Sequence, residues 1–294
     1  MLVRLWNGKL EQWDTVEVTV PGKPGIGPSD EYVKVRGAFV EPDANGNFIS
    51  SSYTDDELDA VHAFATARLT IDLWEKGSGE KVIWLSIPDT ADRRLKIVLY
   101  SGSFEASYRP SENAIFFGTL FTNNIPTCKS LDIVSHETTH AIFESFWKGI
   151  HESGNLDSLA LIEGWADLSP IFLQLISQQL FNKILLLSSN NLNTVNNLSE
   201  FAEGFEHKLN GIRSAKNKEV NNPQNPCSVA SPMVNLIYNT FIRKWNDNKS
   251  NDLFIINIQF IFTQLLADLL NKKLSYTKYL KKIKNAHYLY KEHF

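Results

Sequence analysis

A chain of 294 residues that is 43% apolar can bury a substantial core and is long enough for two domains. Its formal net charge of -4 argues against a polyanion-binding protein, so no nucleic-acid partner is expected. Two cysteines, Cys128 and Cys227, do not make a disulfide framework; they could pair with each other, but read as free thiols. The stretch MLVRLWNGKLEQWD lacks the unbroken apolar run of a secretory signal. The most apolar stretches, 168–188 and 253–270, are broken by Gln, Asn, Lys and Asp. These features favour buried helices, no membrane partner and a cytoplasmic location.

Residues 1–50 read as strands and turns: VEVTV alternates with period two, PGKPGIGPSD is a loop and DANGN a turn. YTDDELDAVHAFATARLTIDLWEKG then opens a helix, with Thr54 and Glu57 spaced as a capping box and Gly77 placed to stop it. KIVLYSG (96–102) and AIFFGTL (114–120) are short β-branched or aromatic runs, hence strands. From Ser130 the pattern is helical almost to the end, through 156–187, a loop-rich SSNNLNTVNN and a last group over roughly 229–293. The basic, aromatic tail KKLSYTKYLKKIKNAHYLYKEHF suits an amphipathic surface helix. The expected class is α+β: an N-terminal mixed β/α lobe (1–151) with a zinc-binding helix at the base of a cleft, and a mainly helical C-terminal lobe (152–294).

The most reactive-looking letters lie in LDIVSHETTHAIFESF, where His136, Glu137 and His140 spell H-E-x-x-H. Residues four apart share one helix face, so both imidazoles can reach one metal ion. Glu137, one step round, can reach a water there without being a ligand. Two solvated histidines on a surface helix are the bland alternative, but the apolar flanks DIVS and AIF argue against it. A third ligand in the metzincin position is excluded, because Phe143 and Phe146 stand where that class needs Gly and His. Glu163, in the next helix-like run SLALIEGWADLSPIF, completes a His-His-Glu set that leaves a position for water, the catalytic kind of zinc site. Asp167, one turn on, can accept the outer N–H of a zinc-ligating histidine and fix its tautomer.

With these motifs in order, the chain resembles the thermolysin family of zinc endopeptidases, the gluzincins, over roughly residues 55–240. ELDAVHAFATARLTIDLWEKG is similar to the family's long helix ahead of the site, EASYRPSENAIFFG to its edge-strand segment, and DIVSHETTHAIFESF with EGWADLSPIF to its two ligand helices. GIRSAKN is similar to its Leu-Arg-Ser-Met segment. The G-x-M-E-N segment of the clan's aminopeptidases is absent. The resemblance implies that Arg213 binds a substrate carbonyl and that the strand around Ala106 pairs with the substrate backbone. It also implies that Ile133 and Ile212 line a pocket for an apolar residue after the cleaved bond.

Departures from the family pattern are equally specific. Glu105 replaces the edge-strand Asn, and His151 stands at the catalytic tyrosine's position. Ser228 or Cys227, depending on alignment, falls where the family has its active-site histidine. Residues 168–199 contain no Asp or Glu, and Gln174 stands where a calcium-binding acid is expected, so bound calcium is not. The implied activity is hydrolysis of a peptide or protein substrate, with Zn2+ as cofactor, Glu137 as general base and His151, alternatively Ser228, as oxyanion donor. A second class stays open: a zinc-binding, peptide-binding module with little or no turnover, which the missing histidine favours.

Overall fold

The computed structural model describes residues 1–7, 9–84, 92–119, 125–201, 213–248, 251–270 and 276–286. The chain opens with an antiparallel pair, β1 (Leu2–Asn7) and β2 (Gln12–Glu17), in register Leu2↔Glu17 to Asn7↔Gln12. Of the VEVTV run only Val16 and Glu17 are strand; beyond them Val18 and Met1 exchange two backbone bonds, each 2.8 Å. A second sheet has the order β3 (Val33–Arg36), β4 (Leu95–Val98), β6 (Ala114–Phe117), β5 (Ala106–Arg109). Its first three strands are parallel, and β5 runs antiparallel to β6 at the edge. The runs KIVLYSG and AIFFGTL are therefore strands over their first halves.

Helix α1 (Asp55–Ser78) starts where the capping box predicts, with the Thr54 side chain taking the Glu57 N–H and Glu57 reaching back. It does not stop at Gly77. The stop is Gly79 in the left-handed conformation, φ 73°, its N–H on the Glu75 carbonyl. Gly77 instead makes room for a neighbour, because a Cβ there would lie 2.4 Å from Phe262 Cε1 and 2.7 Å from Leu266 Cδ1. The bare backbone lets α1 pack directly on a later helix. Ala60 to Ile71 are buried almost all round, which marks α1 as the central helix. Its buried Asp59 is compensated by Arg4 at 2.9 Å and Lys129 at 3.1 Å, as a buried carboxylate must be.

The rest is mostly helix: α2 (Leu131–Phe146), α3 (Leu156–Ile176), α4 (Gln178–Leu187), α5 (Pro226–Asn248), α6 (Asn251–Leu270) and α7 (Tyr276–Lys284). One small pair, β7 (Glu200–Phe201) and β8 (Arg213–Ser214), interrupts them. The protein is thus α+β with a helical C-terminal part. Aromatic side chains join α1, α2, α3 and α6, with Trp74 5.4 Å from both Phe143 and Trp165, and Phe172 4.6 Å from Phe262. The Trp74 indole N–H is satisfied by Ser169 Oγ at 3.0 Å. By length and composition α3 and α6 could each cross a membrane, but 83% of the apolar window of α3 is buried within the protein. The tail helix α7 is less superficial than its sequence suggests, burying Tyr276, Tyr279 and Ile283; the basic residues beyond 286 lie outside the described residues. Both cysteines are free thiols.

Replacing Gly77 by Ala forces a methyl group into the α1–α6 contact. Urea or thermal unfolding should show a loss of about 1–3 kcal/mol, the usual cost of overpacking; no change, or a gain from better helix propensity, would contradict this packing.

Candidate metal centre

Helix α2 buries Val134, Ser135, Thr138, Thr139, Ala141, Ile142 and Phe143, and the Thr138 and Thr139 hydroxyls bond back to the carbonyls of Val134 (2.7 Å) and Ser135 (2.8 Å). That leaves His136, Glu137 and His140 on the remaining face, and one atom from each of these three side chains lies within 4.8 Å of the other two. Helix α3 packs across α2 and carries Glu163 and Asp167 one turn apart. His136 Nε2 and His140 Nε2 are 3.0 Å apart, Glu163 Oε2 is 3.5 Å from the first and Glu163 Oε1 3.6 Å from the second. Ligands at zinc-like bond lengths around a tetrahedral ion are about 3.4 Å apart. The three donors therefore fit one small tetrahedral cation. Asp167 Oδ1 accepts from His136 Nδ1 at 3.0 Å, so the Nε2 lone pair is the one turned to the centre when the ring is neutral.

Without a metal, this arrangement holds a proton. Burial opposes a charged imidazolium, yet the hydrogen bonds and negative charges of Asp167 and Glu163 outweigh it and raise His136 to about 10. Burial likewise opposes ionisation of Glu163, but its hydrogen bond to His136 and the charges of both histidines hold its carboxyl well below the usual carboxylate range. As imidazolium, His136 donates from both nitrogens, Nδ1 to Asp167 and Nε2 into the space that a cation would take.

Around the donor set the expected residues fall differently. Glu137 Oε2 accepts the backbone N–H of Tyr108 at 2.8 Å, tying that carboxylate to the edge strand β5. Ala106 lies two residues earlier on β5, so its backbone faces the same outer side. Glu105, where Asn would suit the left-handed region, enters the strand at φ 64°. His151 sits beside His140 and Tyr108 (ring centroids 5.2 and 5.9 Å), but its Nε2 donates to the His140 carbonyl at 3.0 Å. That bond occupies the Nε2 proton of His151. The bond ties His151 to α2.

Ser228 does not meet the donor set. Its Oγ accepts the Asn222 N–H at 2.9 Å, whereas the neighbouring Cys227 Sγ donates to Glu163 Oε2 at 3.1 Å. Of the two alignment candidates, Cys227 is the one at the centre. Gly164 makes this approach possible: a Cβ there would lie 2.1 Å from Met233 Cε, so α5 packs tightly on α3. Ile133 is half-buried against the core, Ile212 lies outside the described residues, and Arg213 pairs through its backbone with Phe201. Gln174, which stands where a calcium-binding acid is expected, lines a cavity of about 20 Å³ together with Asp132 and Arg4. Sequence reasoning missed the Tyr108 amide altogether, because no side-chain pattern signals a backbone donor.

No protein-family model matches the chain, and no curated protein matches it. The centre rests on its own geometry.

Zinc must displace the His136 proton, so uptake should release about one proton per ion at pH 7.5, measured by titration calorimetry in buffers of different ionisation heat. Affinity should rise about tenfold per pH unit from pH 6.5 to 8, because the raised group is still protonated until pH nears about 10. Uptake without proton release would contradict the paired imidazolium.

Proposed function

We propose that this protein is a zinc-dependent peptidase that hydrolyses peptide bonds in extended substrates, with the zinc held by His136, His140 and Glu163. The observation that carries this reading is the 2.8 Å bond between the Tyr108 amide and Glu137. It places a carboxylate that borders the donor set against the open edge of a sheet. A peptide laid along β5 by strand addition would pass between that carboxylate and the donors. The order of segments resembling the thermolysin family supports the same reading.

When bound, zinc would act as a Lewis acid on a peptide carbonyl and lower the pKa of a water molecule. Glu137 takes the proton of the attacking water as the O–C bond forms and delivers it to the leaving nitrogen as the C–N bond breaks. Tyr108 aims Glu137 for this through its amide, and Asp167 keeps the His136 Nε2 lone pair turned inward. The outward backbone of Ala106 pairs with the substrate main chain. Arg213, at the end of β8, is assigned to a substrate carbonyl on the resemblance alone.

A second reading, a peptide-binding module without turnover, is favoured by two observations. Cys227 stands at the donor set where a histidine would act, and the His151 proton is committed to the His140 carbonyl.

Glu137→Gln separates the two. The substitution removes the proton carrier and leaves three ligands, so zinc content should stay near the parent value while casein hydrolysis falls by at least about a hundredfold. Loss of zinc together with activity would make Glu137 a ligand. A parent with full zinc and no hydrolysis would establish the binding module.

A further inference from the structure

Beside the candidate metal centre lies a cavity of about 410 Å³ that shares Asp167 and Cys227 with it. Its other described lining is Phe201 and Val234, with Ser214, Ser228, Ser231 and four asparagines, Asn217, Asn221, Asn222 and Asn225. The asparagines are not interchangeable polar filler, because the loop fixes which end of each amide is spent. Asn217 Oδ1 accepts the Glu219 N–H at 3.0 Å, Asn222 Oδ1 the Gln224 N–H at 3.0 Å, and Asn225 Oδ1 the Ser228 N–H at 3.2 Å. The oxygens of Asn217 and Asn222 are turned back into Asx turns and that of Asn225 takes an N–H in the first turn of α5, so each of these three side chains presents its NH2. Among the described residues no acceptor takes the Nδ2 of Asn217, Asn222 or Asn225. The Ser228 hydroxyl takes the Asn222 N–H at 2.9 Å, and among the described residues no acceptor takes its own proton. Helix α5 begins at the same wall, at Pro226, and adds the positive end of its dipole. Asp167, the one carboxylate in the described lining, is committed to His136.

This wall offers more free N–H donors than acceptors, the Ser231 hydroxyl, whose proton goes to the Cys227 carbonyl at 3.2 Å, being an acceptor, and that balance has a definite preference. An aliphatic side chain would strip water from the donors and return nothing, and an ammonium would face mostly donors. A side chain ending in a carbonyl or carboxylate oxygen satisfies them. We propose that this cavity is the specificity pocket of the peptidase, and that it selects a substrate residue with an acceptor tip, Gln or Glu, beside the cleaved bond. The proposal rests on the peptidase reading for its substrate, and it departs from the apolar preference that Ile133 and Ile212 suggested.

The test uses zinc-loaded Glu137→Gln protein and fluorescein-labelled peptides that place Leu, Lys, Gln or Glu at each position in turn. At one position Gln and Glu peptides should bind about tenfold tighter than Leu or Lys, by fluorescence anisotropy. Asn217→Asp, Asn222→Asp and Asn225→Asp combined keep every turn oxygen while replacing the donors by acceptors. That variant should lose the Gln and Glu preference and gain one for Lys. Should it fold poorly by its melting temperature, Asn222→Asp alone should shift the preference in the same direction. Tightest binding of Leu or Lys, equal binding of all four at every position, binding of none, or a preference unmoved by the substitutions would each overturn the pocket. The two readings fail separately. A parent that cleaves none of these peptides while the Gln and Glu preference persists loses the peptidase but keeps the pocket. A parent that cleaves casein with no such preference keeps the peptidase and loses the pocket.

Discussion

Glu163 and Asp167 stand one turn apart on a single helix and meet the same imidazole from two sides, Asp167 at Nδ1 and Glu163 at Nε2. Two carboxylates in a mostly buried place are costly unless a cation is shared between them. Here the shared cation is the His136 imidazolium or, on the peptidase reading, a metal ion. Much else follows from keeping α2 and α3 close enough for this contact. Trp74, Phe143 and Trp165 fill the space behind the site, and Gly164 brings α5 onto the outer face of α3. Gly77 lets α6 support α1 from behind. The polar centre is bearable because the apolar frame holds its partners in place.

The difference between what could and could not be read from the letters has a physical cause. His136, Glu137 and His140 were legible because helical periodicity alone decides which residues share a face. Asp167 was legible for the same reason once Glu163 was in view. Helix α1 could be placed from Thr54 and Glu57, since a capping box is local chemistry. Its end could not, because Gly77 and Gly79 look alike until the neighbour of Gly77, Phe262, is known. The Tyr108 amide at Glu137, the Cys227 thiol at Glu163 and the asparagine wall all depend on how distant segments register. No local pattern encodes that. His151 shows the same limit: its spacing from His140 was readable, but the hydrogen bond that occupies its ring was not.

On the peptidase reading, the site combines a familiar ligand geometry with unfamiliar surroundings. Where a hydrolytic site would present strong donors to a developing oxyanion, this centre has a thiol on the Glu163 carboxylate and an imidazole bonded to a backbone carbonyl. Fewer preorganised donors mean less stabilisation of the transition state. On the peptidase reading, the chain relies more on the metal, on the edge strand and on side-chain recognition than on a dedicated donor. Slow, selective cleavage is the behaviour such a balance predicts.

On the peptidase reading, the His136, His140 and Glu163 cluster is a zinc site whose purpose is hydrolysis. Purified protein stripped by a chelator and then titrated with zinc tests it directly, following casein cleavage and bound metal on the same samples. A hydrolytic zinc site predicts no cleavage in the stripped protein and activity that climbs in step with zinc to a plateau at one ion per chain. Cleavage that persists without metal, or a plateau of bound zinc with no cleavage at all, would contradict it.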